Sequence, residues 1–125
     1  MKRTIFTEKA PAAIGPYSQA IEANGLIFVS GQLPVDATTG EFVSGGVAEQ
    51  TRQSLENTKH ILAEAGLTMD NIVKVVVFLA DMSSFAEMNG VYATYFKDTC
   101  PARSAVAVKA LPKGAMVEIE CIAVR

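Results

Sequence analysis

Residues 100–124, CPARSAVAVKALPKGAMVEIECIAV, constrain the fold more than any other stretch. Two apolar, β-branched runs flank a Leu-Pro-Lys-Gly turn, so the segment predicts strands over 103–110 and 116–124. Yet the first run carries Arg103 and the second carries Glu118 and Glu120. A charge on a strand that packs on a core is costly unless it is paired or put to use. Closing the pair as a hairpin around Pro112-Lys113 sets Ala107 opposite Glu118, Ala105 opposite Glu120 and Arg103 opposite Ile122. Because side chains alternate, those six residues then share one face. Ser104, Val106, Val108, Val117, Ile119, Cys121 and Ala123 form the other, a core face. A one-residue bulge in the turn would break that parity. On the residues alone, Arg103 with Glu118 or Glu120 reads as a structural cross-strand pair before it reads as a site.

The rest of the chain supplies the partners. RTIF is a short strand, and APAAIGPYSQ, with Pro11, Gly15 and Pro16, is a shaped loop. Asn24-Gly25 between apolar runs predicts a tight hairpin with strands over 17–22 and 26–31. LPVDATTGEFVSGG reads as turn-rich loop. Val47, Thr51, Leu55, Thr58, Leu62 and Ala65 recur at helical spacing, and Gly66 closes the run, so 47–65 is a helix. NIVKVVVFLA, 71–80, is a strand whose unbroken hydrophobicity implies burial on both faces. A second helix is expected over 83–97, capped by Ser83 or Ser84, with Phe85, Met88, Tyr92, Tyr95 and Phe96 as its apolar stripe. The order is three strands, helix, strand, helix, two strands. That is an α+β domain over 1–125, one mixed sheet with two helices on a single face.

Composition narrows the function. Half of the 125 residues are hydrophobic, and mean hydropathy is +0.25. That is high for a small monomer with so much surface, and a homo-oligomer would cover an apolar face. The formal charge is −2 and the lysines and arginines are scattered, so a nucleic-acid backbone is a poor partner. Cys100 and Cys121 make no disulfide framework and fit reduced thiols in the cytoplasm. The start MKRTIFTEKAP has no apolar core of a secretory signal, and no run is long enough to cross a membrane. His60 lies about 140° around the helix from Leu55, on its polar side. One histidine makes neither a Ser-His-Asp triad nor a zinc cluster. Ser44-Gly45-Gly46 lacks the lysine of a phosphate loop and reads as the start of a helix.

PARSAVAVKALPKGAMVEI resembles the signature of the RidA (YjgF/YER057c/UK114) family, and APAAIGPYSQAI, VSGQLPVD, QTRQSLEN and VFLADMSSFAEMN resemble its other blocks at matching spacing. The resemblance spans about 7 to 124. It implies a chorismate-mutase-like fold assembled as a homotrimer with clefts between subunits. It also implies deamination of 2-imino acids such as 2-iminobutanoate and 2-iminopropanoate, released as reactive enamines by pyridoxal-phosphate-dependent dehydratases. The products would be 2-oxo acids and ammonia, with no cofactor and no metal.

Carried onto this chain, the resemblance assigns Arg103 the substrate carboxylate, which a planar guanidinium can bind through two hydrogen bonds. Glu118 would orient or deprotonate the attacking water. Tyr17 would cover the substrate, Ser30 and Gly31 would lie against it, and Asn89 would sit at the side of the cleft. Glu120 is left as a structural or interfacial carboxylate. Many members carry cysteine where this chain has Ala105, so no thiol mechanism is available at that position. Cys121 is expected as an inert core thiol. Two other functions compete: a non-catalytic trimer that binds a small carboxylate and regulates a partner, and action on RNA, which the acidic balance disfavours.

Overall fold

The computed structural model describes residues 1–125. Strands β1 (Arg3–Ile5), β2 (Ala20–Ala23) and β3 (Leu26–Gln32) form an antiparallel meander. Asn24 (φ 52°) and Gly25 (φ 77°) both turn left-handed, which is what a two-residue turn between right-twisted strands requires. The loop expected over 33–46 folds in part into a two-stranded hairpin, β4 (Val35–Asp36) with β5 (Glu41–Phe42). Helix α1 (Val47–Glu64) follows, capped at Gly46, whose N–H donates to the Glu49 carboxylate (2.8 Å). All six residues of its expected apolar face are buried. Its buried polar residues also tie down neighbouring loops. Asn57 Nδ2 donates to the carbonyls of Leu33 and Val35, and the Met116 N–H donates to Gln50 Oε1.

Strand β6 (Ile72–Leu79) leads through a single 3-10 turn into α2 (Phe85–Ala93), then β7 (Ala102–Ala107) and β8 (Val117–Val124). Helix α2 has Ser84 at its N-cap but ends earlier than expected, at Ala93. Met88, Tyr92 and Phe96 of its apolar stripe are buried, with Phe85 and Tyr95 packed against the core.

The last two strands correct the sequence reading. They do not form a hairpin. The six-stranded sheet runs β1-β2-β3-β8-β6-β7, so β6 lies between them. Strand β7 pairs with β6 in parallel, and β8 pairs with it antiparallel on the other side. Residues 108–116 carry the chain over the end of β6, where Val108 N–H donates to Leu79 O and Ala80 N–H donates to Met116 O. The most apolar strand of the chain thus has both of its hydrogen-bonding edges satisfied, which a central position allows and an edge position does not.

The faces change accordingly. Val117, Ile119, Cys121 and Ala123 of β8 are buried against the helices as expected. On β7 the parity is inverted. Arg103 pairs with buried Val75 and Ala105 with buried Val77, so both point to the helix side. Ser104 and Val106 point to the open face with Glu118 and Glu120, which pair with Phe78 and Val76. Burial of β6 on both faces is realised on one only in a single copy. Val75, Val77 and Leu79 are buried, whereas Val76 and Phe78 are half-buried. The open face also exposes Phe28 and Val106. That is an apolar sheet surface without a covering layer.

Candidate functional site

Arg103 sits on the edge strand and reaches back over α2. Phe85, Asn89 and Tyr92 follow one another along a single face of that helix. The guanidinium carbon lies 4.6 Å from the centre of the Tyr92 ring and 5.4 Å from that of Phe85. Nη1 donates to Asn89 Oδ1 (2.7 Å). Stacking and one hydrogen bond fix the plane of the guanidinium and leave its other donors for a ligand. A cavity of about 390 Å³, lined by Asn89, Tyr92, Phe96, Cys100 and Arg103, adjoins it. The Tyr92 hydroxyl is buried without a hydrogen-bond partner, and burial pushes its pKa up to about 12, so the phenol stays protonated.

Glu118 stands on the other side of the sheet, at the start of β8 and beside the end of β3. There the register of β3 slips between Val29 and Gln32, which bulges Ser30 and Gly31 out of the ladder. At Gly31 the Glu118 carboxyl occupies the space that a side chain would take. A Cβ on Gly31 would lie 2.8 Å from Glu118 Cδ and would overlap Oε2. Burial, and after it the charge of Glu120, pushes the Glu118 carboxyl above the usual carboxylate range. The ion pairs of the chain are Arg3–Glu22 and Arg125–Glu22, so Arg103, Glu118 and Glu120 are all unpaired within one copy. The cross-strand pairing that the sequence suggested does not form.

Ser30 is held in place from behind. Its hydroxyl donates to Ser18 O (2.6 Å), its N–H donates to Gln19 O, and its carbonyl accepts from Gln32 Nε2. Tyr17, half-exposed, follows a tight turn in which its N–H donates to Gly15 O. The loop that carries it is pinned by Gln19, which sequence reasoning did not single out. Gln19 Oε1 accepts from Thr7 N, and Nε2 donates to the carbonyls of Thr7, Ala10 and Pro11. A buried amide next to a proline-rich loop was the available signal, since it can replace the hydrogen bonds that the loop's backbone lacks. Tyr17 and Gly31 line a second cavity, of about 320 Å³.

The six candidate residues therefore divide into two groups. Arg103 and Asn89 lie on the helix side at the β7 edge. Tyr17, Ser30, Gly31 and Glu118 gather around the bulge of β3, with Glu118 on the open face. The cavity beside Arg103 contains none of the second group, and the cavity beside Tyr17 contains neither Arg103 nor Asn89. Elsewhere, Cys121 is a buried thiol pushed up to about 12, as suits an inert core residue. No group of three or more His, Cys, Asp or Glu side chains is placed to hold a metal ion, and no helix is long and apolar enough to cross a membrane.

Glu118 also makes a stability prediction. Its native pKa is raised above its ordinary value of 4.5, so the native state binds this proton more tightly than the unfolded chain does. Its contribution to stability is whole below that value and is lost as pH rises through the native pKa. Glu118→Gln should therefore melt a few degrees above the wild type at neutral pH, and the gap should close as the buffer is acidified below pH 4.5. A lower melting temperature for the variant at neutral pH would contradict the assignment of burial as the dominant cause.

The family described as endoribonuclease L-PSP matches residues 7–125. The 2-iminobutanoate/2-iminopropanoate deaminase of Mus musculus is 50% identical, over 100% of this chain and 93% of the mouse protein. The structure of YyfA from Yersinia pestis, a member of the conserved Rid protein family, superimposes with a TM-score of 0.97 at 50% identity and covers 100% of both chains. That of E. coli TdcF, solved with bound serine, does so with a TM-score of 0.94 at 46% identity over 98% of each. The chain is an α+β domain with two helices on one face of a mixed sheet, an arginine on the edge strand β7 and a glutamate on β8 beside the bulge of β3. The chain belongs to the RidA (YjgF/YER057c/UK114) family.

Proposed function

We propose that the protein hydrolyses small 2-imino acids to 2-oxo acids and ammonia, in clefts formed between copies of the chain. The observation that carries this reading is that Arg103 and Glu118 are each positioned by neighbours yet unpaired, on opposite sides of one sheet. A second copy packed on the open apolar face would bring the Glu118 group of one subunit to the Arg103 group of the next. A closed ring of three gives three such clefts, and we take the homotrimer as the assembly. The activity named for the mouse relative and the serine bound to TdcF support a substrate with a carboxylate next to a nitrogen-bearing carbon.

In this scheme the Arg103 guanidinium binds the substrate carboxylate, and Asn89 and the rings of Phe85 and Tyr92 fix its plane. Glu118 takes a proton from water as the water oxygen bonds to the imine carbon, and gives it to nitrogen, leaving a neutral carbinolamine. The same carboxyl then takes the proton of the new hydroxyl and passes it to the amine nitrogen. As it does so the C–N bond breaks, ammonia leaves and the carbonyl forms. Burial raises the Glu118 carboxyl above the usual carboxylate range, which makes it a stronger base toward water. Tyr17 covers the cleft, and the backbone at Ser30 and Gly31 lines it. The enamine supply fits pyridoxal-phosphate-dependent dehydratases, which eliminate water from serine or threonine, and the free thiols Cys100 and Cys121 fit a cytoplasmic setting. An RNA-cleaving reading draws less support: the lone His60 is half-buried on α1, and the cations form no continuous patch in sequence.

The test generates 2-iminobutanoate from threonine with a dehydratase and follows 2-oxobutanoate above the uncatalysed rate. The wild type should accelerate it, and Arg103→Ala should lose about a hundredfold or more in kcat/KM with its oligomeric state unchanged. No acceleration by the wild type across several imines would leave a carboxylate-binding oligomer in place of an enzyme.

A further inference from the structure

We propose that Cys100 is a site of reversible thiol modification: a small disulfide bearing a carboxylate is drawn to it by Arg103, and the adduct closes the Arg103 cavity to substrate. The closure rests on the deaminase reading above; the modification itself does not.

Cys100 is the exposed thiol of the chain, and it lines the cavity of about 390 Å³ beside Arg103. Arg103 is the only charged residue of that lining, and it has no carboxylate partner within one copy. Stacking on Tyr92 and Phe85 and the bond to Asn89 hold the guanidinium in place without neutralising it. An accessible thiol beside a fixed cation is the setting in which disulfide exchange becomes selective.

A second group marks the same space as one that receives a ligand. Tyr92, only 5% exposed, lines the cavity, and its hydroxyl is buried with no hydrogen-bond partner. Burial raises the phenol's pKa most; the charge of Arg103 lowers it, and that of a Cys100 thiolate raises it. The hydroxyl, the guanidinium and the thiol are thus within range of one another's fields. A buried hydroxyl without a partner is costly, and a carboxylate oxygen beside Arg103 would give it an acceptor. Cys121 provides the contrast. It lies on the core face of β8, where burial pushes its thiol up to about 12 and keeps reagents out.

The step is a thiol–disulfide exchange. The Cys100 thiolate attacks one sulfur of the reagent, a new S–S bond forms, and the reagent's own S–S bond breaks. The other half leaves as a thiolate and takes up the proton that Cys100 lost. Cys100 is oxidised, and the departing sulfur is reduced. The carboxylate now tethered to Cys100 takes the guanidinium donors that a substrate carboxylate would use. A thiol reductant reverses the exchange and reopens the cavity.

The experiment uses the whole protein and two probes, the dianion 3,3′-dithiodipropionate and the dication cystamine. Adduct formation is followed by mass spectrometry and peptide mapping. Each rate is divided by that of the same probe with 2-mercaptoethanol, an uncharged thiol. The chain carries a net charge of −2, which by itself favours the dication. The dianion should instead react about tenfold faster on this scale, at Cys100 and not at Cys121, and added salt should shrink the preference. After free probe is removed, the modified protein should lose about tenfold or more in kcat/KM for 2-iminobutanoate and recover it on reduction. Cys100→Ser should keep the wild-type activity and be unaffected by the probe. Arg103→Ala should react with both probes at equal normalised rates. A dication that reacts with the wild type as fast as the dianion overturns the assignment, whatever the variants do. An adduct at Cys100 that leaves imine hydrolysis unchanged overturns the closure of the site. A wild type that hydrolyses no imine overturns the deaminase reading, and the two adduct rates still decide the modification site.

Discussion

Arg103→Ala and Glu118→Gln subunits, each expected to be inactive as a homo-oligomer, should recover imine hydrolysis when they are unfolded together and refolded as a mixture. The reason is the sheet. Arg103 faces α2 and Glu118 faces the open side, so within one copy the two side chains point away from each other. If each cleft takes its arginine from one subunit and its glutamate from the next, an Arg103→Ala subunit still offers an intact Glu118, and the converse holds for the other variant. Random assembly of an equimolar mixture makes one cleft in four intact, so about a quarter of wild-type activity should return. The two homo-oligomers should sit a hundredfold or more lower, about the loss expected when a substrate-positioning or proton-transfer group is removed. Mixed oligomers that assemble and stay inactive would show that both residues act from one chain, and the proposed cleft would fall.

The second large effect is expected at a residue with no side chain. Gly31→Ala should cost about a hundredfold in kcat/KM while the protein stays folded and assembled. A Cβ there meets Glu118 Cδ at 2.8 Å and overlaps a carboxylate oxygen, so the carboxyl must rotate away from the position it holds against the bulge. The backbone at Gly31 does not need left-handed torsions, which separates this effect from strain: Gly31 is absent from the positive-φ residues of the chain. The loss should appear mainly in kcat, because Arg103, the group proposed to bind the substrate carboxylate, is untouched. Activity within threefold of the wild type would mean that Glu118 has freedom the chemistry does not notice.

Legibility in the sequence followed the range of the physics involved. Asn24-Gly25 fixed a hairpin because both residues tolerate the left-handed torsions of its turn. The periodicity of 47–65 fixed both the helix and its buried face, residue by residue. On β8 the alternation of Val117, Ile119, Cys121 and Ala123 against Glu118 and Glu120 was correct, since period-two patterning is a property of the strand itself. The same patterning failed on β7. Its residues alternate too weakly to declare a face, and the turn-like Pro112–Gly114 segment suggested a partner that it does not have.

The candidate site residues were named by resemblance to a family, and their arrangement was not. By itself the sequence determined the elements, the core side of each strongly patterned strand or helix, and the residue types able to bind a carboxylate and move a proton. These depend on neighbours within a turn or a strand. Only the tertiary structure decided that β6 separates β7 from β8, and with that insertion the parity of β7 inverted and Arg103 left the face of Glu118. Strand order is set by which edges of an apolar strand must be satisfied, a contest among segments far apart in the chain, and no local pattern records its outcome.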